Sequence, residues 1–153
     1  MLSFYRRLSR PKKIITGAIG LFVAAQAIQP DRTGTPGDPS ADVMRIAETD
    51  PTIAKTLRAA CYDCHSQETT YPWYAYVTPV NFWLQHHVNE GREELDLGAW
   101  GAKTAKWRDH KKKEALEMLK EGEMPLPSYT WLHSEARLTA QQRDSLILFF
   151  ERL

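Results

Sequence analysis

The chain has 153 residues, enough for one compact domain with a leader and a linker but not for a second core. Its net charge of +1 hides an uneven distribution, because residues 1–28 hold five basic side chains and no acidic one. The other residues hold 15 basic against 19 acidic groups, a net of −4. Nucleic acids bind basic surfaces that neutralise their phosphates, so this balance excludes a nucleic-acid partner.

Residues 1–28 are typical of a signal sequence or membrane anchor. Basic side chains precede an apolar run that extends from Ile14 to Ile28. Ala25-Gln26-Ala27 has the small-x-small form of a cleavage site, whereas a retained run would act as a tilted anchor. A buried core helix is a third interpretation, but the run has no polar face. We favour retention, with the basic flank in the cytoplasm and the remainder on the periplasmic side of the membrane.

Residues 29–41 contain three prolines and two glycines without apolar periodicity, which predicts a linker. The folded domain is expected over residues 42–153. Its helices are predicted where a capping residue precedes apolar residues at helical spacing. They run from Asp50-Pro51 into Cys61, from Thr78-Pro79 through Val88, from about Lys103 to Glu121 before Gly122, and from a Thr139/Gln142 capping box onwards. No stretch alternates with period two, so the predicted fold is all-α.

Cys61-Tyr62-Asp63-Cys64-His65 has the C-x-x-C-H spacing of a c-type haem attachment site. Two thiols three residues apart can each form a thioether with one haem vinyl group, and the next residue offers its imidazole to the iron. Half of a zinc site is an alternative, but the adjacent His86 and His87 point to different faces of a helix. A thioredoxin-type redox pair is another, but its βαβ context is missing.

A second axial ligand is predicted in the segment after Gly122. Met124 lies there in a stretch that Pro125 and Pro127 stiffen, and a thioether is a soft ligand that suits haem iron. The alternatives for this ligand are His87 and His133. Met124 could instead be a residue that fills a gap in the core. Met118, on the preceding helix, is expected to be such a core residue.

Two further runs are open to interpretation. The aromatic run from Tyr71 to Tyr76 predicts either a wall against the cofactor or ordinary core packing. The run Lys111–Lys113 is typical of a solvated helix face, with a docking patch for a partner as the alternative. The connections 66–77 and 122–138 are long and need a body to pack on, which a haem would supply.

The chain resembles a known family at these residues. The runs CYDCHS, YPWY, HHVNEGRE and EMPLPSY, the last followed by a leucine-histidine pair, are similar to the haem-binding domain family of small single-haem cytochromes. The resemblance covers about residues 42–153, and the short leader ending in QAIQPDR is similar to the family's amino-terminal anchor. It implies a cytochrome c-like helical domain with one haem c held covalently at Cys61, Cys64 and His65, and a role in electron transfer.

The sequence therefore predicts a c-type cytochrome that carries single electrons between redox protein partners and is not an enzyme. The membrane would be a further partner if the N-terminal segment is retained. A haem-based enzyme or sensor, with an open or displaceable site for peroxide or a diatomic gas, is the alternative. A metal-binding interaction module is the third class.

Overall fold

The computed structural model describes residues 9–34 and 37–153, and these form helices and loops without a β-strand. The predicted all-α fold is confirmed for this part of the chain. The basic residues Arg6 and Arg7 and the linker residues Thr35 and Pro36 lie outside the described residues. Within the described ranges, no helix combines the length and the hydropathy needed to cross a membrane.

The helices are connected by loops that contain short 3₁₀ turns. In chain order the helices are α1 (Arg10–Ala25), α2 (Val43–Ile46), α3 (Pro51–Leu57), α4 (Asp63–His65), α5 (Val80–Glu94), α6 (Ala105–Glu121), α7 (Pro127–Thr130) and α8 (Ala140–Arg152). The 3₁₀ turns are Pro39–Ala41, Trp73–Tyr76, Trp100–Ala102 and Ser134–Ala136.

The chain divides into two compact units, which are described separately. The N-terminal unit comprises the described residues 9–32 together with 72–86. The main unit comprises the described residues 33–71 together with 87–153. Helix α5 begins in the first and ends in the second. The predicted boundaries at residues 28 and 42 differ from this division and stay a prediction.

In the N-terminal unit, α1 forms where the apolar helix was predicted, and none of its residues is buried. The chain after α1 is tied to the segment that precedes α5. Gln26 accepts a hydrogen bond from the Thr78 amide (2.8 Å), and Thr78 Oγ1 donates to the Ile28 carbonyl (3.0 Å). Gln29 Nε2 donates to the Tyr76 carbonyl (3.2 Å), and the Arg32 guanidinium lies 4.5 Å from the centre of the Tyr76 ring.

Three helices of the main unit begin or end at predicted caps, whereas the short helices α2 and α7 were not predicted. The Asp50 carboxylate accepts from the Thr52 amide at the start of α3, with Pro51 at the first helical position. Gly122 ends α6 at a φ of 78°, a left-handed conformation that favours glycine. Thr139 and Gln142 form the capping box of α8. These three helix boundaries are confirmed.

The core of the main unit lies around α8, because both α3 and α6 pack against that helix. Leu146, Phe149 and Phe150 of α8 are buried in this core. The buried cluster consists of Val43, Leu57, Tyr62, Leu97, Trp100, Leu119, Leu146, Phe149 and Phe150. This core holds α3 and α6 at fixed positions, and those two helices lead into the two segments that carry the predicted ligands.

Replacing Leu146 by Ala should lower the free energy of unfolding by about 2–5 kcal/mol, because its side chain is fully buried and its removal leaves a cavity. Leu148→Ala is the matched control, since Leu148 lies on the same helix with 51% of its surface exposed. Urea unfolding followed by circular dichroism measures both. Equal losses in the two variants would contradict this description of the core.

Candidate functional site

The C-x-x-C-H motif lies on a continuous helical run after α3. A π-helical turn, Arg58–Tyr62, contains Cys61, and α4 contains Cys64 and His65. Turns of this type are rare and occur often at functional sites. The run ends at Ser66, whose backbone is extended and whose hydroxyl donates to the Tyr62 carbonyl (2.8 Å). The motif is therefore held at the C-terminal end of a helix.

The His65 imidazole is fixed in one tautomer by the end of α5. Its Nδ1 lies 2.8 Å from the Gly91 carbonyl oxygen and 3.0 Å from the Leu95 carbonyl oxygen. Carbonyl oxygens only accept hydrogen bonds, so Nδ1 carries the hydrogen and Nε2 keeps its lone pair. Burial also lowers the pKa of His65, against the opposing effect of the two carbonyls. A neutral imidazole oriented by a backbone carbonyl is the usual form of a metal-binding histidine.

Gly91 allows α5 to approach the motif this closely. A Cβ atom at this position would lie 2.6 Å from the Cys64 carbonyl oxygen, which is too close for any side chain. Arg92, the next residue, donates from Nε to the Ser66 carbonyl (2.8 Å). The motif and the C-terminal end of α5 are thus joined by close packing at Gly91 and by hydrogen bonds at Gly91, Arg92 and Leu95. Sequence reasoning missed this role, although a glycine inside a helical pattern was a signal for it.

The two cysteines are not joined to each other and are largely shielded from water. Burial raises the pKa of Cys61 to about 12 and that of Cys64 to about 11, with smaller contributions from neighbouring negative groups. Both thiols are therefore protonated at neutral pH. A redox-active pair needs an accessible thiol with a lowered pKa, so the thioredoxin interpretation does not fit these residues.

Two cavities of about 420 and 450 Å³ adjoin the motif. Cys61 lines the first cavity and Cys64 the second. The residues that line both are Ala60, His65, Glu94, Met124 and Pro125. The other residues of the first cavity are mainly apolar and come from α6 and the core, including Leu97, Ala115, Leu119, Leu138 and Phe150. The structure thus brings the predicted residues Cys61, Cys64, His65 and Met124 together around two adjoining cavities, the first of which is mainly apolar.

Hydrogen bonds of two side chains, Arg143 and Tyr129, hold the segment that carries Met124. Arg143, on α8, donates to the Leu119 carbonyl (2.7 Å) and to the Met124 carbonyl (3.2 Å). The Tyr129 hydroxyl donates to the Asp63 carboxylate (2.7 Å), which lies between the two cysteines of the motif. Neither Arg143 nor Tyr129 was predicted, because the sequence gives no sign of which carbonyl or carboxylate a distant side chain reaches.

The two alternative ligands, His87 and His133, differ in whether they line a cavity. His87 lines the second cavity, one helical turn before Gly91, and so belongs to the wall that also holds His65. His133 stacks on Tyr129 with 4.2 Å between ring centres and lies 3.2 Å from a Glu135 oxygen, and it is not among the residues that line the two cavities. Met118 lines the first cavity and is partly exposed, so the prediction that it fills a core gap is wrong.

A charged cluster forms one wall of the first cavity. Lys111 Nζ lies 2.6 Å from a Glu94 oxygen and 2.7 Å from a Glu114 oxygen, and its side chain is only 12% exposed. The expectation of a fully solvated lysine run is therefore wrong for Lys111. Two glutamates that face one cavity are otherwise mutually repulsive, and the ammonium between them holds the pKa of Glu114 below its usual range.

These residues fit a haem. The first cavity is mainly apolar with charged side chains on one wall, His65 offers Nε2, Met124 offers a thioether, and a thiol lines each cavity. A zinc ion is a poor fit, because the described residues contain no group of three or more His, Cys, Asp or Glu side chains that could hold a metal. The fold and the site therefore define an all-α protein with a cavity suited to a large apolar cofactor.

A comparison with protein families identifies the cofactor. The profile of the haem-binding domain family matches residues 20–152, which is most of the chain. The chain belongs to that family and is a haem protein. The predicted resemblance is confirmed, and the match begins inside α1. Neither the curated proteins nor the solved structures contain a match to this chain.

Replacing Gly91 by Ala should destabilise the main unit by about 1–3 kcal/mol, because the new methyl group overlaps the Cys64 carbonyl and forces α5 away from His65. Gly37→Ala is the control, since a Cβ there would be in ordinary contact, 3.6 Å from the Gly98 carbonyl oxygen. Urea-unfolding midpoints of the two variants give the comparison. If Gly91→Ala is as stable as Gly37→Ala, the close approach of α5 does not hold the site.

Proposed function

We propose that this protein is a c-type cytochrome that carries single electrons, with one haem c attached covalently to Cys61 and Cys64. The observation that carries the proposal is that the two cavities share His65 and Met124, while each is lined by a different cysteine. Two thioether bonds to neighbouring haem vinyl groups need two thiols close to the imidazole that would bind the iron. Cys61 and Cys64 are placed beside His65 in this way, which supports the proposal.

His65 and Met124 are proposed as the two axial ligands of the haem iron. They come from different segments, since His65 ends α4 and Met124 follows α6. Met124 is favoured over His87 because it comes from a separate segment and lines both cavities with His65, whereas His87 lines only the second cavity. When bound, the haem supplies an iron centre that exchanges one electron, and a Met/His ligand pair raises its reduction potential.

The chain's own residues orient and enclose this centre. The Gly91 and Leu95 carbonyls hold the His65 ring, and Arg143 holds the backbone of Met124. Two fixed ligands leave the iron without a site for a substrate, so electron transfer is favoured over catalysis. No general acid or base is needed in such a protein, and we infer that it is not an enzyme.

The proposed partners are redox proteins that present a basic surface. The two cavities are lined by five glutamates, Glu90, Glu93, Glu94, Glu114 and Glu117, and by a single lysine, Lys111. Complementary charge steers partners together and sets their orientation, so an acidic rim around the cofactor favours basic donors and acceptors. Electron transfer would take place at this rim.

We further propose that the protein functions on the outer side of the cytoplasmic membrane. Five basic residues precede the apolar run and no acidic one does, which favours retention of the basic end in the cytoplasm. Helix α1, whose residues are all at least partly exposed, would tether the protein to the bilayer. Covalent attachment suits such a location, because a lost haem could not be replaced from a cellular pool.

Replacing both Cys61 and Cys64 by Ala should abolish covalent haem, because the chain contains no other thiol. Each single replacement serves as the control and should retain haem through the remaining thioether. Haem staining after denaturing electrophoresis distinguishes the three variants. A stained band in the double variant would contradict covalent attachment through these residues. The double variant should also be less stable, because it loses the stabilisation that bound haem gives to the folded state.

Replacing Met124 by Ala should remove the weak methionine-to-iron charge-transfer band and open the iron to carbon monoxide. Met124→His should keep six ligands and lower the reduction potential, because imidazole stabilises ferric iron more than a thioether does. Optical spectra and potentiometric titration measure these effects.

Three alanine variants are the controls for Met124. Met118→Ala tests the other thioether of the first cavity, and His87→Ala and His133→Ala test the alternative ligands. All three should keep the charge-transfer band. If Met124→Ala leaves the spectrum and the potential unchanged while a histidine variant alters them, the protein is a bis-histidine cytochrome instead.

A further inference from the structure

We propose that the aromatic segment Trp73–Trp83 is a second membrane contact, which binds an anionic lipid bilayer alongside α1. This inference rests on the proposed tether and extends it to residues outside the N-terminal helix. The run Tyr71–Tyr76 was expected to line the cofactor or to pack in the core. Core packing is wrong for two of its members, because 78% of Trp73 and 54% of Tyr76 are exposed.

The N-terminal unit concentrates the exposed apolar surface of the protein. Of the 17 exposed large hydrophobic residues in the described part of the chain, 12 belong to this unit. Seven lie on or just after α1, namely Ile14, Ile15, Ile19, Leu21, Phe22, Val23 and Ile28. The other five lie in the aromatic segment, namely Trp73, Tyr76, Val80, Phe82 and Trp83. Soluble proteins rarely expose so much apolar surface in one region unless it binds something.

Hydrogen bonds join the end of α1 to the aromatic segment, so a membrane that contacts one of them also contacts the other. Hydrogen bonds from Gln26, Ile28 and Gln29 to Tyr76 and Thr78 join them. Another links the buried Asn81 to Gln29 (3.1 Å). The aromatic side chains are therefore held beside the end of α1 rather than on a separate loop.

The residue types and the charge identify the occupant as lipid. The sequence of this unit contains six basic side chains and one acidic side chain, a net of +5, which leaves −4 for the rest of the chain. Anionic headgroups complement that charge. A protein partner, or a second copy, would cover one stripe of α1, whereas lipid would cover the whole uncharged run from Ile14 to Ala25, none of whose residues is buried. Tryptophan and tyrosine favour the boundary between headgroups and acyl chains.

The full-length holoprotein should therefore co-sediment with vesicles made of equal parts phosphatidylglycerol and phosphatidylethanolamine. The double variant Trp73→Ala/Trp83→Ala should bind these vesicles about tenfold more weakly, because two exposed aromatic side chains lose their lipid contact. Trp131→Ala is the matched control and should bind as the wild type does, since Trp131 is 76% exposed but belongs to the main unit. Covalent haem content, measured in the same samples, reports that each variant has folded.

Three outcomes would overturn the proposal, and they differ in what else they overturn. Wild-type binding with an unchanged double variant would show that α1 alone contacts lipid, which leaves the proposed tether intact. No binding by the wild type, or self-association of the detergent-free protein through this unit in sedimentation velocity, would contradict both the tether and the aromatic contact. Haem content that stays normal in either case would leave the proposed cytochrome function untouched.

Discussion

The contact between α5 and the Cys64–His65 backbone fixes the geometry of the site. Helix α5 approaches the motif where Gly91 leaves no side chain between them, and its last turn supplies two carbonyls to one imidazole. Only a histidine with hydrogen on Nδ1 satisfies both, so the backbone determines that Nε2 is the nitrogen left to bind the iron in the proposed cytochrome. A side chain at residue 91 would separate the two segments, and the imidazole would lose both its tautomer and its direction.

The rest of the main unit holds the two segments that carry the proposed ligands. Helices α3 and α6 pack on α8, and Arg143 of α8 holds the backbone at both Leu119 and Met124. Tyr129 then joins the Met124 segment to Asp63 inside the motif. The two segments that carry the proposed ligands are thus connected by side chains of the fold itself, and the haem would bind between parts that are already positioned.

The sequence predicts the helices and the motif well because both depend on short-range chemistry. Asp50-Pro51, the Thr139/Gln142 capping box and Gly122 act within one helical turn, and the structure begins or ends helices at each of them. The spacing of Cys61, Cys64 and His65 likewise lies within a few residues. The family match over residues 20–152 agrees with the haem protein that these residues predict.

The long-range features could not be predicted in the same way. Lys111 lies between Glu94 and Glu114, and Arg143 reaches a carbonyl 19 residues away, because of how the helices pack. Tryptophan is a residue type that is common in protein cores, and only the structure shows that Trp73 is exposed. These contacts and exposures depend on which faces of the helices pack together, and a local sequence pattern does not determine that packing.

The central claim is that two protein ligands occupy the iron of a covalent haem, which makes the protein an electron carrier. The most direct test is the optical spectrum of the reduced wild-type protein before and after addition of carbon monoxide. This account predicts an unchanged spectrum, because His65 and Met124 leave no open position. An immediate shift to a carbon monoxide complex would contradict it and would indicate a haem-based enzyme or gas sensor.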